Sequence, residues 1–371
     1  MKWLSDHKLE HLRAIAGNPD FSTTKYRIVK ELARGGMGTV YLAEDPELNR
    51  QVAIKVLNTP EVTAEMARRM VCEAQIIAKL EHPGIVPVHD VGVLADGRVF
   101  YAMKLVRGSR LDEYVARVNS IKDRLRKFQA ACDAVAFAHA RGVIHRDLKP
   151  QNIMIGSFGE VLVLDWGVAK IVQGQPTISS EADTLKLPGG KQSPDSLNES
   201  DGERSGATGH FGRIVDDTIH GTIIGTPLYM SPEQARGEIG EFDARADVYS
   251  LGAILYFLLT DQPPKSARIS SAGEGANGQS FPRPRALNSK ISKAAEAVCL
   301  KAMADARTER YSSAADLSVD VGRLLDAEPV SAYAENALEK AGRWLGKNRF
   351  LVFLVVAYLL MRIFFLLTAR R

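Results

Sequence analysis

Short runs rich in β-branched and aromatic residues mark the first third of the chain: Tyr26–Val29, Val40–Ala43, Gln51–Val56, Ile85–Val93 and Val99–Lys104. Gly, Pro and Asp-Gly steps separate them, which predicts a meander of antiparallel strands. One stretch of helical period, Thr63–Leu80, interrupts that meander. From Leu111 onward the apolar positions recur with a helical period, and helices are expected over 120–141, 243–260, 293–304 and 313–326. Strands first and helices afterwards predict an α+β chain, with a small sheet lobe over 26–106 and a larger, mainly helical lobe over 107–326.

Four stretches fall outside this pattern. Residues 1–25 form a polar lead with a weak helical stripe at Trp3, Leu4, Leu9, Leu12 and Ile15, and no apolar h-region of a signal peptide. Residues 171–218 hold many Ser, Thr, Gly and Asp and few aromatics, a composition that buries too little apolar surface to fold alone. A shorter polar stretch runs from Lys265 to Gly278, and 327–349 reads as a linker ending in basic residues. Residues 350–368 read as a transmembrane helix. Between Phe350 and Leu367 the only charge is Arg362. Its Leu, Ile, Phe and Val side chains favour insertion by roughly 6 kcal/mol, against about 3 kcal/mol for the arginine. Lys340, Arg343, Lys347 and Arg349 precede this segment while Arg370 and Arg371 follow it, so the positive-inside bias places the preceding domain in the cytoplasm.

Composition narrows the function classes. A net charge of +4 over 371 residues, with Lys and Arg scattered, makes no case for nucleic acid. Three cysteines, Cys72, Cys132 and Cys299, are odd in number and lack C-x-x-C spacing. That argues against a disulfide framework and a zinc site, and fits a reducing compartment.

The candidate chemistry lies in four ordered motifs: Gly35-Gly36-Met37-Gly38-Thr39-Val40, then Val52-Ala53-Ile54-Lys55, then His145-Arg146-Asp147-Leu148-Lys149-Pro150-Gln151-Asn152, then Asp165-Trp166-Gly167. Glycines let backbone N–H groups approach phosphate oxygens. Lys55 sits in an apolar strand, where an ammonium is a misfit unless it meets an anion. His-Arg-Asp-Leu, then three residues, then Asn matches a phosphoryl-transfer catalytic loop. In this combination and order the chain resembles the protein kinase family, and within it the eukaryotic-like Ser/Thr kinases of bacteria, from about Tyr26 to about Leu325.

The resemblance implies a two-lobed protein-kinase fold and ATP-dependent transfer of a γ-phosphate to Ser or Thr hydroxyls of protein substrates. It implies Asp147 as the proton acceptor and Lys149 beside the γ-phosphate. Lys55 would touch the α- and β-phosphates and pair with Glu73, and Asn152 and Asp165 would hold Mg²⁺. Leu32, Ala33, Gly35, Gly36, Gly38, Val40, Ala53, Lys55, Met103, Lys104 and Val106 are the implied nucleotide contacts. Two positions depart from the family pattern: Ala33 replaces its first loop glycine and Trp166 its phenylalanine. These favour a rival reading, a nucleotide-binding pseudokinase scaffold. Gly225–Glu233 resembles the peptide platform, with Thr226 near Asp147 and with Glu233 paired to Arg310. Asp247 would tie the catalytic-loop backbone, and His139 and His145 read as structural. The loop region carries Thr218 and Thr222, and phosphorylated Thr222, or second Thr218, facing Arg146 would order it. Self-association for phosphorylation in trans is a further expectation.

Overall fold

The computed structural model describes residues 19–35, 38–58, 64–166, 170–171, 228–237, 243–264 and 281–368. The small lobe is a five-stranded antiparallel sheet. Its strands are β1 (Arg27–Arg34), β2 (Gly38–Asp45), β3 (Arg50–Leu57), β4 (Val88–Val93) and β5 (Val99–Lys104), in the spatial order β1-β2-β3-β5-β4. Helix α1 (Ala64–Ala78) packs on β4 and β5. The central strand β3 is buried on both faces, and the period of two divides its side chains. Val52, Ile54 and Val56 join Tyr26, Tyr41, Phe100 and Ala102 in one apolar cluster. Leu57 joins Met70, Ala74, Val99 and Tyr101 under α1. Lys55 shares the parity of Leu57, so the alternation alone sends it to the helix side.

One expected strand is shorter than its apolar run. Pairing begins at Val88, because Pro87 has no N–H to give the ladder, and Ile85 makes only an isolated bridge to Val163.

The large lobe begins with the short strand β6 (Gly108–Arg110) and helices α2 (Leu111–Arg117) and α3 (Ile121–Ala140). Strands β7 (Val143–Ile144), β8 (Ile153–Gly156), β9 (Val161–Val163) and β10 (Lys170–Ile171) follow. β6, β8 and β9 form one small sheet and β7 pairs with β10. Helices α4 (Pro232–Ala235), α5 (Arg245–Thr260), α6 (Pro284–Leu287), α7 (Lys293–Ala302) and α8 (Ala314–Leu325) complete the lobe. Ser120, Ser292 and Ser313 cap α3, α7 and α8, each accepting from the backbone N–H three residues on. α5 is apolar nearly all round and is the central helix, buried against α3, α7 and α8. Cys132 and Cys299 lie fully buried in this core, and Cys72 is partly buried on α1.

Residues 327–349, expected as a linker, contain a helix, α9 (Ala337–Lys347), opened by a capping box between Asn336 and Glu339. The expected span folds as helix α10 (Arg349–Thr368). Its described apolar side chains, from Phe350 to Met361, are largely exposed. The side chains of α10 are described only as far as Arg362, and among the described residues no helix is long and apolar enough to cross a membrane. Apart from Ile171, the expected insert 171–218 lies outside the described residues.

Candidate active site

The site is built where β3, α1, the loop after β7 and the segment after β9 meet. Lys55 Nζ donates to Glu73 Oε1 at 2.9 Å and to Asp165 Oδ1 at 2.7 Å. Register explains the first contact: Lys55 stands opposite Tyr101 on β5, and the Tyr101 hydroxyl donates to the same Glu73 Oε1 at 2.8 Å. Tyr101 is a site residue that sequence reading missed. Its strand position opposite Lys55 was the available signal. Burial alone would lower the Lys55 pKa, but Tyr101, Glu73 and Asp165 reverse that and hold it well above the usual lysine value. The Asp165 carboxyl is also pulled upward by burial, yet Lys55, with His145 and Lys149, keeps it below the usual aspartate range. Its side chain is 48% exposed, so one face of the carboxylate remains open to a ligand.

The loop after β7 is held from below. Asp247, fully buried on α5, accepts from the backbone N–H of His145 (Oδ2, 2.7 Å) and of Arg146 (Oδ1, 2.8 Å). His139 Nε2 lies 2.8 Å from Asp247 Oδ2, so this histidine supports the aspartate instead of merely filling the core. Arg146 takes φ 70° and Asp165 φ 59°, left-handed conformations that non-glycine residues adopt only when their surroundings impose them. Backbone strain is thus stored on either side of the cleft. The Asp147 carboxylate receives Lys149 Nζ at 2.6 Å and Asn152 Nδ2 at 3.2 Å, and Asn152 Nδ2 also donates to the Asp147 carbonyl at 2.8 Å. With Nδ2 engaged, Asn152 Oδ1 is the atom left to offer a metal.

Trp166 is 1% exposed and packs against His145, with ring centroids 4.6 Å apart and the rings tilted by 48°. It shares the main core cluster with Ile76, Ile77 and Leu80, at and just beyond the end of α1. The larger ring is therefore accommodated behind the Glu73 helix, although its indole N–H finds no partner among the described residues.

On the opposite wall, Ala53 faces Met103 across the β3–β5 ladder and Val40 faces Lys55 across β2–β3. Ala53 is buried, Val40, Met103 and Val106 are partly buried, and Leu32 and Lys104 are exposed. Ala33 pairs with Val40 on β1 and β2. Gly35 N–H donates to Gly38 carbonyl at 2.9 Å, closing the loop. A Cβ on Gly38 would stand 2.7 Å from the Val56 carbonyl oxygen, so glycine is required there. Gly36 and Thr226 lie outside the described residues, as do Thr218 and Thr222. The expected Glu233–Arg310 pair is present and bidentate, at 2.7 and 2.8 Å, with both side chains buried. Gln234 Nε2 donates to the Arg146 carbonyl at 2.9 Å and so ties the platform to the catalytic loop.

A cleft with this lysine–glutamate–aspartate arrangement beside a His-Arg-Asp loop has clear counterparts. Residues 26–187 match the protein kinase domain family. The chain is 35% identical over 327 residues to the serine/threonine-protein kinase PknB of Mycobacterium tuberculosis, covering 85% of this chain and 45% of that protein. The chain belongs to the eukaryotic-like bacterial serine/threonine protein kinases.

A second relative, the serine/threonine-protein kinase PknD of Protochlamydia amoebophila, is 37% identical over 254 residues, which is 64% of this chain and 23% of that protein. The chain thus spans less than half the length of these curated relatives. The fold is also that of the crystal structure of the Mycobacterium tuberculosis PknI kinase domain, with TM-score 0.54 at 24% identity, over 81% of this chain and 95% of that one. Kinases of this family transfer phosphate from ATP with the help of divalent metal. The donor set here suits such a cation. Asp165 and Asn152 offer hard oxygen atoms, and Mg²⁺ is commonly held by one or two protein oxygens together with substrate phosphates.

Proposed function

We propose that this chain is a catalytically competent serine/threonine protein kinase that uses ATP and Mg²⁺, with its catalytic lobes on the cytoplasmic side of a membrane to which α10 anchors it. The observation carrying competence is the simultaneous contact of Lys55 with Glu73 and Asp165, at 2.9 and 2.7 Å. A pseudokinase has no need to keep this triad with Asp147 and Asn152 beside it. Trp166 argues for no loss, because its ring is buried in the core beside His145.

In this reading Asp147 accepts the proton of the substrate hydroxyl, and Lys149, 2.6 Å away, steadies the transferring phosphoryl group. Lys55 positions the α- and β-phosphates. Asn152 and Asp165 would hold the metal, whose charge offsets that of the phosphates. Leu32, Ala33, Gly35, Gly36, Gly38 and Val40 would cover the nucleotide, and Ala53 and Met103 would enclose the base. Lys104 N–H already donates to the Pro87 carbonyl at 3.0 Å. Contact with a base at this residue therefore falls to its carbonyl and to the backbone of Val106. Thr226 would close the site near Asp147 and Lys149, and Thr222 is the favoured phosphorylation site of the loop, modified in trans within a transient pair of chains.

The anchor rests on sequence and on exposure. Phe350 and Phe353 are 74% and 68% exposed, and Leu354 to Met361 present apolar side chains around the whole helix. In water such a surface is unfavourable by about 25 cal/mol for each Å² left uncovered. The test of the activity is transfer of labelled γ-phosphate to a generic protein substrate by the purified full chain, with phosphosites then mapped. Wild-type protein should transfer phosphate and Asp147→Asn should not. Equal inactivity of both, with ATP still bound, would establish the scaffold reading.

A further inference from the structure

Helix α9 (Ala337–Lys347) is amphipathic, and it is turned the wrong way for a helix of a water-soluble domain. Its polar side faces the kinase. Glu339 receives Lys293 Nζ, from the start of α7, at 2.7 Å, and the Tyr333 hydroxyl at 2.9 Å. Arg343 pairs with Glu335, with Nη2 to Oε2 at 2.9 Å. Of the described side chains of α9, Glu339 and Arg343 are the two that are partly covered. With a period of about 3.6 residues, Leu338, Ala341, Trp344 and Leu345 fall together on the opposite side. That side is open: Leu338 is 87% exposed, Trp344 57% and Leu345 46%. A core-facing stripe has here been left outside, while one ion pair, Lys293–Glu339, ties the helix to the lobe.

Chain length says what covers it. Between the end of α9 at Lys347 and the start of α10 at Arg349 stands Asn348 alone. One residue reaches less than about 4 Å. If α10 enters a bilayer, as proposed above, the C-terminal end of α9 is at its surface. The basic excess agrees: Lys340, Arg343 and Lys347 stand against Glu339 within the helix, with Arg349 beyond. Cations on such a helix favour anionic headgroups, and tryptophan favours the interface.

We infer that α9 lies in the headgroup region of the membrane, its Leu338–Ala341–Trp344–Leu345 face in the acyl boundary and its Glu339 side fixed to the kinase, so that the lobes are held at a set orientation on the bilayer. This rests on the anchor reading, and the two can fail separately.

The test uses the full chain reconstituted in vesicles of phosphatidylcholine with a minority of phosphatidylglycerol. The chain has three tryptophans. Trp3→Phe leaves Trp344 and the buried Trp166 as reporters. Quenching is read with lipids brominated at shallow acyl positions and, separately, with aqueous acrylamide. A second protein, Trp3→Phe with Trp344→Phe and Phe353→Trp, reads α10 in the same way. The expected result is strong quenching of Trp344 by shallow bromolipid, weak quenching by acrylamide, and bromolipid quenching at residue 353. Leu338→Glu with Leu345→Glu should remove the bromolipid quenching at Trp344 and leave that at residue 353. If acrylamide reaches Trp344 while bromolipid quenches residue 353, the anchor stands and the interfacial helix is refuted. If bromolipid reaches neither position, both readings fall. If neither agent reaches Trp344, the face is covered by protein and the inference is wrong.

Discussion

Lys55 and Asp165 are 110 positions apart, yet Lys55 Nζ donates to Asp165 Oδ1 at 2.7 Å. One comes from the small-lobe sheet and the other from the segment after β9, so the contact closes the cleft between the lobes. Glu73 approaches the same ammonium from α1 at 2.9 Å. A single cation is thus the meeting point of three separately folded pieces.

Replacing that cation should affect positioning more than folding. Lys55→Met is expected to lower kcat/KM by about 10²-fold or more, the cost of misplacing reacting groups. Its nonpolar stem should keep the packing on β3. Phosphoryl-transfer kinetics and a melting curve check this together. A variant with wild-type kinetics would remove Lys55 from the nucleotide site.

Tyr101→Phe separates support from chemistry. The variant deletes one hydrogen bond to Glu73, which remains bonded to Lys55. Stability should fall by about 1 kcal/mol, with transfer reduced only severalfold. Loss as deep as that of Lys55→Met would mean that Tyr101 has a larger part in holding Glu73 than its one bond suggests.

The buried Glu233–Arg310 pair, with side chains 1% and 0% exposed, should be among the most sensitive sites in the large lobe. Removing either partner leaves an uncompensated buried charge, which costs about 3–5 kcal/mol. Glu233→Ala is therefore expected to melt many degrees lower or to be recovered poorly. A melting temperature within one or two degrees of wild type would contradict the packing described here.

Much of this was legible before any coordinates. The apolar run around Lys55 already marked its ammonium as a group in need of an anion. The ordered motifs named Asp147, Asn152 and Asp165, the resemblance they carry implied Glu73 and Asp247, and the structure brings all five to one cleft or beneath it. What stayed hidden follows from physics that acts at a distance in sequence. Tyr101 looked like one more apolar strand residue until register set it opposite Lys55. His139 sat in an apolar helical stripe, and only the fold brings it to Asp247. Residues 337–347 read as linker because 327–349 contains Pro and Ala and ends in basic residues, while the capping box that opens α9 shows only in the fold. The start of β4 was overextended because Pro87 breaks a ladder that apolarity alone would continue.

Acid should find the carboxylates last. Burial alone would raise the Asp247 pKa, but His139 and His145 lower it below the ordinary 3.8. Burial likewise opposes Arg310 at Glu233, and the outcome is below the ordinary 4.5. Both groups bind protons more weakly folded than unfolded, so their contribution is complete above those ordinary values and is lost as pH falls through the lowered ones. Burial also lowers the pKa of His82 and His89 below 6.5, which adds a shallow loss beginning under that value. The melting temperature should decline gently below about pH 6.5 and steeply below about pH 4.5. Asp247→Asn should flatten the steep part. A steep decline already complete at pH 6 would contradict these assignments.

The central claim is that the cleft performs phosphoryl transfer through Asp147, held by Lys149 and Asn152 at 2.6 and 3.2 Å. The most direct measurement is the single-turnover transfer rate of Asp147→Asn beside its nucleotide affinity, both on the full chain. The account predicts a rate lower by about 10²–10⁴-fold, the usual contribution of a general base, with nucleotide affinity nearly unchanged. A variant that keeps more than about a tenth of the wild-type rate, outside that range, would contradict it.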